Sequence, residues 1–349
     1  MAFDPQREDY QRLGLRFAQT LDGTDAASAT HSFASFGRRF AHDRDSLPQS
    51  DADRAFHLVA MATKLIDYQL PFADDETAKE LIASGHRLLD EALVLDPHCY
   101  DAIRMKIAAQ APTFEEFLGF LRDQADEVRA HCERQQQAQA TGIDSERSRL
   151  RADLAMRPYL RWLSTQAEQA LICGRNREAL ALALECLRID PHDVADARFS
   201  VALAYAKLED EAGLDSFVDR LQQHGSMRPA NDAWTLLSRL AMRFKALDTE
   251  GAQDWVSELI RTYPHAAEAL IRQTELPVGI FARISTVPYS EDELIVAISE
   301  ATILLQEGVD PMERGALGTW LATEVARQQP QAMLAIMSEQ QRQQNGRRA

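Results

Sequence analysis

Three Pro-His dipeptides, Pro97-His98, Pro191-His192 and Pro264-His265, are the first groups in this sequence whose type suggests chemistry. Imidazole is a common metal ligand, but a closed site needs several ligands converging on one ion. These histidines follow equivalent helices and lie two or more structural repeats apart, so ordinary turn residues are the expected reading and no metal site is assigned. His131 and Cys132 are adjacent on a predicted helix and point in different directions, which excludes chelation at i, i+4 spacing. The four cysteines, Cys99, Cys132, Cys173 and Cys186, form no C-x-x-C pair and read as buried thiols. The acidic runs Asp74-Asp75-Glu76 and Glu209-Asp210-Glu211 would supply paired carboxylates for acid–base catalysis. Helix starts explain them better, because negative charge is favourable there. G-x-S-x-G, H-E-x-x-H and G-x-x-x-x-G-K-[ST] are all absent. No catalytic residue and no cofactor is therefore assigned.

Arginines interleaved with apolar residues carry a different chemistry. If the first helix of each pair lines a concave surface, Arg161, Thr165 and Glu168 fall on one exposed stripe. Phe199 and Leu203 fall on the next, and Arg239, Met242 and Arg243 on a third. A guanidinium beside an apolar side chain suits a peptide groove on an acidic protein. Solvated arginines beside ordinary packing are the competing account of the same residues.

The elements that would position these groups are helices. Between Arg157 and Leu221, Leu163, Ala167 and Ala170 share one helical face, and Ala179, Ala183 and Cys186 share the next. Gly174 accepts the positive φ of a helix C-cap, and Pro191 cannot continue the second helix, so an antiparallel hairpin is expected. Taking Pro97, Pro191 and Pro264 as origins, the residues twelve before are Gly85, Ala179 and Ala252. Those eight before are Leu89, Ala183 and Val256, and those five before are Ala92, Cys186 and Leu259. This is a degenerate internal repeat, and stacked helical hairpins bury faces that one hairpin cannot bury alone. Caps are legible at Ser50 with Asp53, at Asp74, at Thr113 and at Ser290 with Glu293. The expected fold is all-α, a right-handed solenoid of antiparallel helix pairs with irregular helices at both ends. Its divisions are an N-terminal helical cap (1–72, presenting Phe33, Phe36 and Phe40), degenerate paired helices (73–134), a polar mobile connection (135–156), a solenoid (157–343) interrupted by a loop at 276–289, and a disordered tail (344–349). Pro158 suits the first turn of the central hairpin.

The run from Leu93 to Ala102, the Arg157-Pro158-Tyr159 triplet and the run from Gly174 to Leu180 together resemble a bacterial tetratricopeptide-repeat protein. They are similar to the soluble repeat region of the suppressor-of-tumorigenicity-seven family. The likeness spans roughly Asp74 to Leu305 and implies a scaffold for protein contacts, with no catalytic residues to transfer. Gln166 departs from the pattern, standing where a large apolar residue is usual, so irregular pairs are expected. The Lys and Asn set with which some such proteins clamp a C-terminal carboxylate is not recognisable.

The 349 residues carry a net charge of −16, which disfavours nucleic acid as a partner. Only Lys64, Lys79, Lys106, Lys207 and Lys245 are lysines, so the basic residues are mostly arginine. The N-terminal residues lack a basic region followed by an apolar core, and no apolar run is long enough for a bilayer, so no membrane is expected and the location is expected to be cytoplasmic. The leading functional expectation is a non-enzymatic scaffold or adaptor that binds a protein or peptide. The alternatives are an all-helical enzyme with an unrecognised carboxylate pair and a regulatory domain sensing a small ligand. A deep pocket with converging titratable groups favours the alternatives, and an open groove favours the scaffold.

Overall fold

The computed structural model describes residues 4–21, 26–70, 73–140, 146–223, 229, 231–276, 286–310 and 313–346, and all regular secondary structure among them is helical. Contacts divide the chain into two compact units, with the boundary between Gln169 and Ala170.

The N-terminal unit begins with α1 (Pro5–Thr20), whose Asp4 cap accepts hydrogen bonds from the Gln6 and Arg7 amides. Helix α2 (Ala26–His42) delivers Phe36 to a core of Leu13, Phe17 and Leu47, while Phe33 stays 43 % exposed. At α3 (Asp51–Thr63) the expected capping box is reciprocal. The Asp53 amide donates to Ser50 Oγ, and the Ser50 amide donates to the Asp53 carboxylate at 2.8 Å. Helix α3 runs on into a turn of π-helix, Lys64–Gln69. It packs most extensively against α4 (Asp75–Leu95), burying Val59 with Leu89 and Ala92. The approach is close, since a Cβ at Gly85 would come within 2.6 Å of Ile66 Cδ1. Helices α5 (Tyr100–Gln110) and α6 (Phe114–Ala140) follow. Thr113 Oγ accepts from the Glu116 amide at 3.2 Å, as its sequence predicts.

Two expectations are corrected at α7 (Glu146–Ile172). The stretch 135–156, expected as a helix end and a polar connection, is helical wherever it is described. Helix α6 continues through Ala140 and α7 starts at Glu146, with 141–145 outside the described residues. Ala, Gln, Glu and Arg are good helix formers, so a polar run with weak apolar periodicity here makes the solvated part of long helices. Pro158 consequently lies inside α7 instead of in its first turn.

The C-terminal unit takes the end of α7 and then α8 (Asn176–Ile189), α9 (Ala197–Leu208), α10 (Glu211–Gln223), α11 (Ala233–Lys245) and α12 (Thr249–Thr262). After these come α13 (Ala266–Arg272), α14 (Glu291–Glu300), α15 (Thr302–Leu305), α16 (Ala316–Gln328) and α17 (Pro330–Gly346). Helix α8 packs on α9, α9 on α11, and α11 on α12 and α14. Residues 344–346, expected in a disordered tail, are helical, and 277–285 of the expected loop lie outside the described residues.

The positions aligned twelve, eight and five residues before the prolines are buried in all three helices. The buried residues of α4 are Gly85, Leu89 and Ala92; of α8, Ala179, Ala183 and Cys186; of α12, Ala252, Val256 and Leu259. A second recurrence was invisible in the sequence. Helix α7 ends in a Schellman motif, with Gly174 at φ 71, its amide donating to Leu171 O and the Arg175 amide to Ala170 O. Helices α9 and α11 end the same way, with Glu209 at φ 57 and Leu247 at φ 60. Non-glycine residues rarely take this conformation, so composition alone does not mark these two turns. The Asp-Pro-His turns also share a cause. The His98 and His192 amides donate to Asp96 and Asp190 side chains at 2.9 and 3.0 Å, an Asx turn that ends the helix.

Replacing fully buried Ala179 or Ala252 with Leu should overpack the helix contact and cost about 1–3 kcal/mol. Thermal melts of both variants matching the parent would contradict this close packing.

Candidate functional site

The residues expected on a concave stripe are mostly inside the protein. Arg161, Phe199, Leu203 and Met242 are all buried, none more than 5 % exposed. Helix α9 is buried over ten consecutive residues, Ala197–Ala206, so periodicity could not single out an exposed face. Phe199 stacks on Trp234 with ring centroids 3.7 Å apart. Thr165 and Glu168 are half-buried, Thr165 Oγ1 accepting from Arg104 at 3.3 Å and Glu168 from Ser164 at 3.5 Å. Arg239 pairs with Asp215 and lies over the Trp255 ring, while Arg243 pairs with Glu211 at 2.7 Å and Asp248 at 3.1 Å. The expected exposed stripe is therefore corrected: Arg161, Thr165 and Glu168 belong to the N-terminal unit, the other five to the C-terminal unit, and the apolar members are core.

Arg161 instead centres a buried ionic network. Its Nε donates to Asp101 Oδ1 at 2.6 Å, its Nη2 pairs with Asp101 Oδ2, and its Nη1 donates to Glu8 Oε2 at 2.9 Å. Glu8 also receives Arg12 at 2.7 Å and Arg157 at 3.2 Å. Arg104 approaches Asp101 at 3.6 Å. Helices α1, α5 and α7 are thus tied together inside one unit, and Trp162 Nε1 adds α6 by donating to Leu121 O at 2.8 Å. Burial alone would raise the pKa of Glu8. The guanidiniums of Arg161, Arg12 and Arg157 outweigh it and hold the carboxyl below its ordinary range. Asp101 is lowered likewise, burial being overcome mainly by Arg161.

Beside this network lies a cavity of about 590 Å³ that is half open to solvent, in the size range of small-molecule sites. Five elements wall it. Helix α1 contributes Arg12, Leu15, Arg16 and Gln19, which share one face at i, i+3, i+4 and i+7, and the start of α3 contributes Ser50, Asp53 and Phe56. The α4–α5 turn adds Asp96, His98, Cys99, Tyr100 and Asp101; α6 adds His131, Cys132 and Gln135; α7 adds Arg151, Leu154, Ala155 and Pro158. Arg12 lies over the Phe56 ring at 4.3 Å. Arg16 pairs with Asp53 at 2.5 Å and donates to Ser50 Oγ at 3.1 Å. The His98 and His131 rings stack at 4.9 Å. Burial lowers the His131 pKa, and the neighbouring His98 lowers it further. Burial also pushes the Cys99 and Cys132 thiols up to about 12 and 11 and the Tyr100 hydroxyl up to about 12.

Sequence reasoning reached His98, His131 and Cys132, as failed metal ligands, but missed Arg12, Arg16, Asp101 and Arg151. A usable signal existed in the i, i+4 series Glu8, Arg12, Arg16 on α1 and Arg157, Arg161 on α7. Among the described residues no group of three or more His, Cys, Asp or Glu is placed to hold a metal ion, and no helix is long and apolar enough to cross a membrane. In comparisons with known proteins, no family model, no curated protein and no solved structure matches the chain.

Proposed function

We propose that this chain is a non-enzymatic binding protein whose N-terminal unit receives a small molecule in the cavity between α1, α3, α5, α6 and α7. The observation that carries this reading is the five-walled cavity with polar groups converging on it. Its titratable groups favour binding over catalysis. The two thiols and Tyr100 are held protonated, Asp101 is held ionised by Arg161, and Asp53 is paired with Arg16. A carboxylate pair working as acid and base needs one member poised to give up a proton, and Asp101, held ionised by Arg161, is not so poised.

A second reading concerns the C-terminal unit: a tetratricopeptide-like, right-handed solenoid of helix pairs that presents a scaffold surface to a protein or peptide. The matching buried register of α8 and α12 and the Schellman ends of α7, α9 and α11 support it. In this reading the contact surface is formed by residues other than Phe199, Leu203 and Met242, which are core.

Native mass spectrometry of the full chain after incubation with a small-metabolite filtrate tests the first reading. The parent should carry a small-molecule adduct, and Ala155→Phe, which fills the cavity from α7, should lose it while keeping its helical circular dichroism. No adduct on the parent, or the same adduct on Ala155→Phe, overturns the proposal.

A further inference from the structure

We propose that the occupant of the N-terminal cavity is an uncharged, planar nitrogen heterocycle of the kind a nucleoside carries, stacked on the His98 and His131 rings and hydrogen-bonded to the Gln135 and Gln139 carboxamides. This rests on the small-molecule reading above and names the ligand's chemistry. The ionic groups of the lining are balanced, Arg12, Arg16 and Arg151 against Asp53, Asp96 and Asp101, and each is already engaged. Arg12 pairs with Glu8 at 2.7 Å, Arg16 pairs with Asp53 at 2.5 Å, and Arg151 donates to Leu15 O at 3.3 Å. Asp101 accepts from Arg161 at 2.6 Å, and Asp96 accepts from the His98 amide at 2.9 Å. A charged ligand would have to break one of these contacts or enter without a counter-charge, and both are costly away from bulk water. A neutral ligand leaves them intact.

What the wall still offers is neutral. Helix α6 contributes His131, Gln135 and Gln139 to the lining at i, i+4 and i+8, the spacing of a single helix face. Among the described residues, the ring nitrogens of His98 and His131 and the amides of Gln135 and Gln139 have no hydrogen-bond partner, and His98 and Gln135 are exposed. Burial holds the His131 pKa below its ordinary value, so that ring is uncharged at neutral pH. A carboxamide sets an acceptor beside a donor. That pattern pairs edge to edge with a heterocycle presenting one of each, as a glutamine does with adenine.

Planarity follows from the rings. The His98 and His131 planes lie 18° apart with centroids at 4.9 Å, and Tyr100 meets His131 edge-on. His131 covers one face of the exposed His98 ring, and a flat ring system laid on the other face continues the stack. A saturated polyol offers no such surface. The volume of about 590 Å³ is that of a site for a drug-sized molecule, ample for a base with its sugar.

Isothermal titration of the full chain at pH 7, with adenosine and uridine as the two neutral heterocyclic probes and glucose and citrate as non-planar neutral and anionic controls, tests the assignment. At least one nucleoside should bind in the micromolar to millimolar range, adenosine alone marking a purine site and uridine alone a pyrimidine site. His98→Ala removes the stacking face and should weaken that binding by about tenfold. Gln135→Ala removes a carboxamide and should weaken it by about fivefold. Circular dichroism keeps loss of fold separate from loss of contact, and if either variant unfolds, Ala155→Phe must abolish nucleoside binding instead. Binding of neither nucleoside, binding unchanged in these variants, or glucose or citrate binding as tightly as the nucleosides overturns the proposal. An adduct of another chemical class in the mass spectra together with silent nucleoside titrations defeats the heterocycle assignment alone, whereas no adduct of any kind defeats the small-molecule reading as well.

Discussion

Arg161→Ala should destabilise the N-terminal unit by about 3–5 kcal/mol, a larger loss than either alanine-to-leucine change in the helix contacts should cause. No groove contact is given up; what matters is what the substitution leaves behind. Asp101 would lose its two-pronged partner and Glu8 one of three, in a place that water barely reaches. Removing one partner from a buried ionic cluster strands the other charges, and that penalty exceeds the worth of the pair itself. Arg239→Ala is the natural control. Its partner Asp215 is 52 % exposed, and exposed pairs contribute about 1 kcal/mol or less. Denaturant titrations of the two variants against the parent measure both. Equal and small losses would mean that the Arg161 cluster does not hold α1, α5 and α7 together. Arg161 was expected from the sequence on an exposed groove stripe, and its burial reverses that assignment.

Replacing Asp232 with Asn should change how stability depends on pH, by on the order of 3 kcal/mol between about pH 4 and pH 7. Asp232 is 3 % exposed and caps α11 by accepting from the Thr235 amide at 2.9 Å. Burial pushes its pKa up to about 6, with Arg198 at 3.4 Å opposing and Glu293 reinforcing. Its surroundings are crowded with acid. Asp193 shares Arg198 and is raised by burial too, and Glu293 accepts from Tyr263 at 2.5 Å and from the Tyr289 amide at 3.0 Å. Between an unfolded pKa of about 3.9 and a folded pKa of about 6 the native state binds the extra proton, so stability is present below that window and lost as pH rises through it. A pKa displaced by about 2 corresponds to roughly 3 kcal/mol. Asn keeps a capping oxygen but cannot titrate, so the stability of Asp232→Asn relative to the parent should climb as pH rises. Taking the difference between two full-length chains cancels shared groups that do not touch Asp232, including Asp67 of the N-terminal unit, which burial pushes up to about 7. A pH-independent difference would show that folding does not displace the Asp232 carboxyl from its unfolded-state pKa.

Local chemistry is what the sequence by itself determined. Caps at Ser50, Asp74, Thr113 and Ser290, the Gly174 turn, and the small-and-apolar positions Gly85/Leu89/Ala92, Ala179/Ala183/Cys186 and Ala252/Val256/Leu259 all depend on residues within a few positions of each other, and each stands in the structure as its spacing implies. Helical periodicity names a face; it does not say what covers that face. Only the tertiary structure decided that α9 is buried on every side, that Glu209 and Leu247 turn left-handed like Gly174, and that Arg161 is a core residue. The cavity lay furthest from view, because its lining runs from Arg12 on α1 to Pro158 on α7, and the ion pair beside it, Glu8 with Arg161, is 153 residues apart. Each end reads alone as a solvated helix charge, and a charge far apart in sequence acquires its partner, its burial and its proton affinity together, only when the helices that carry it close around the same space.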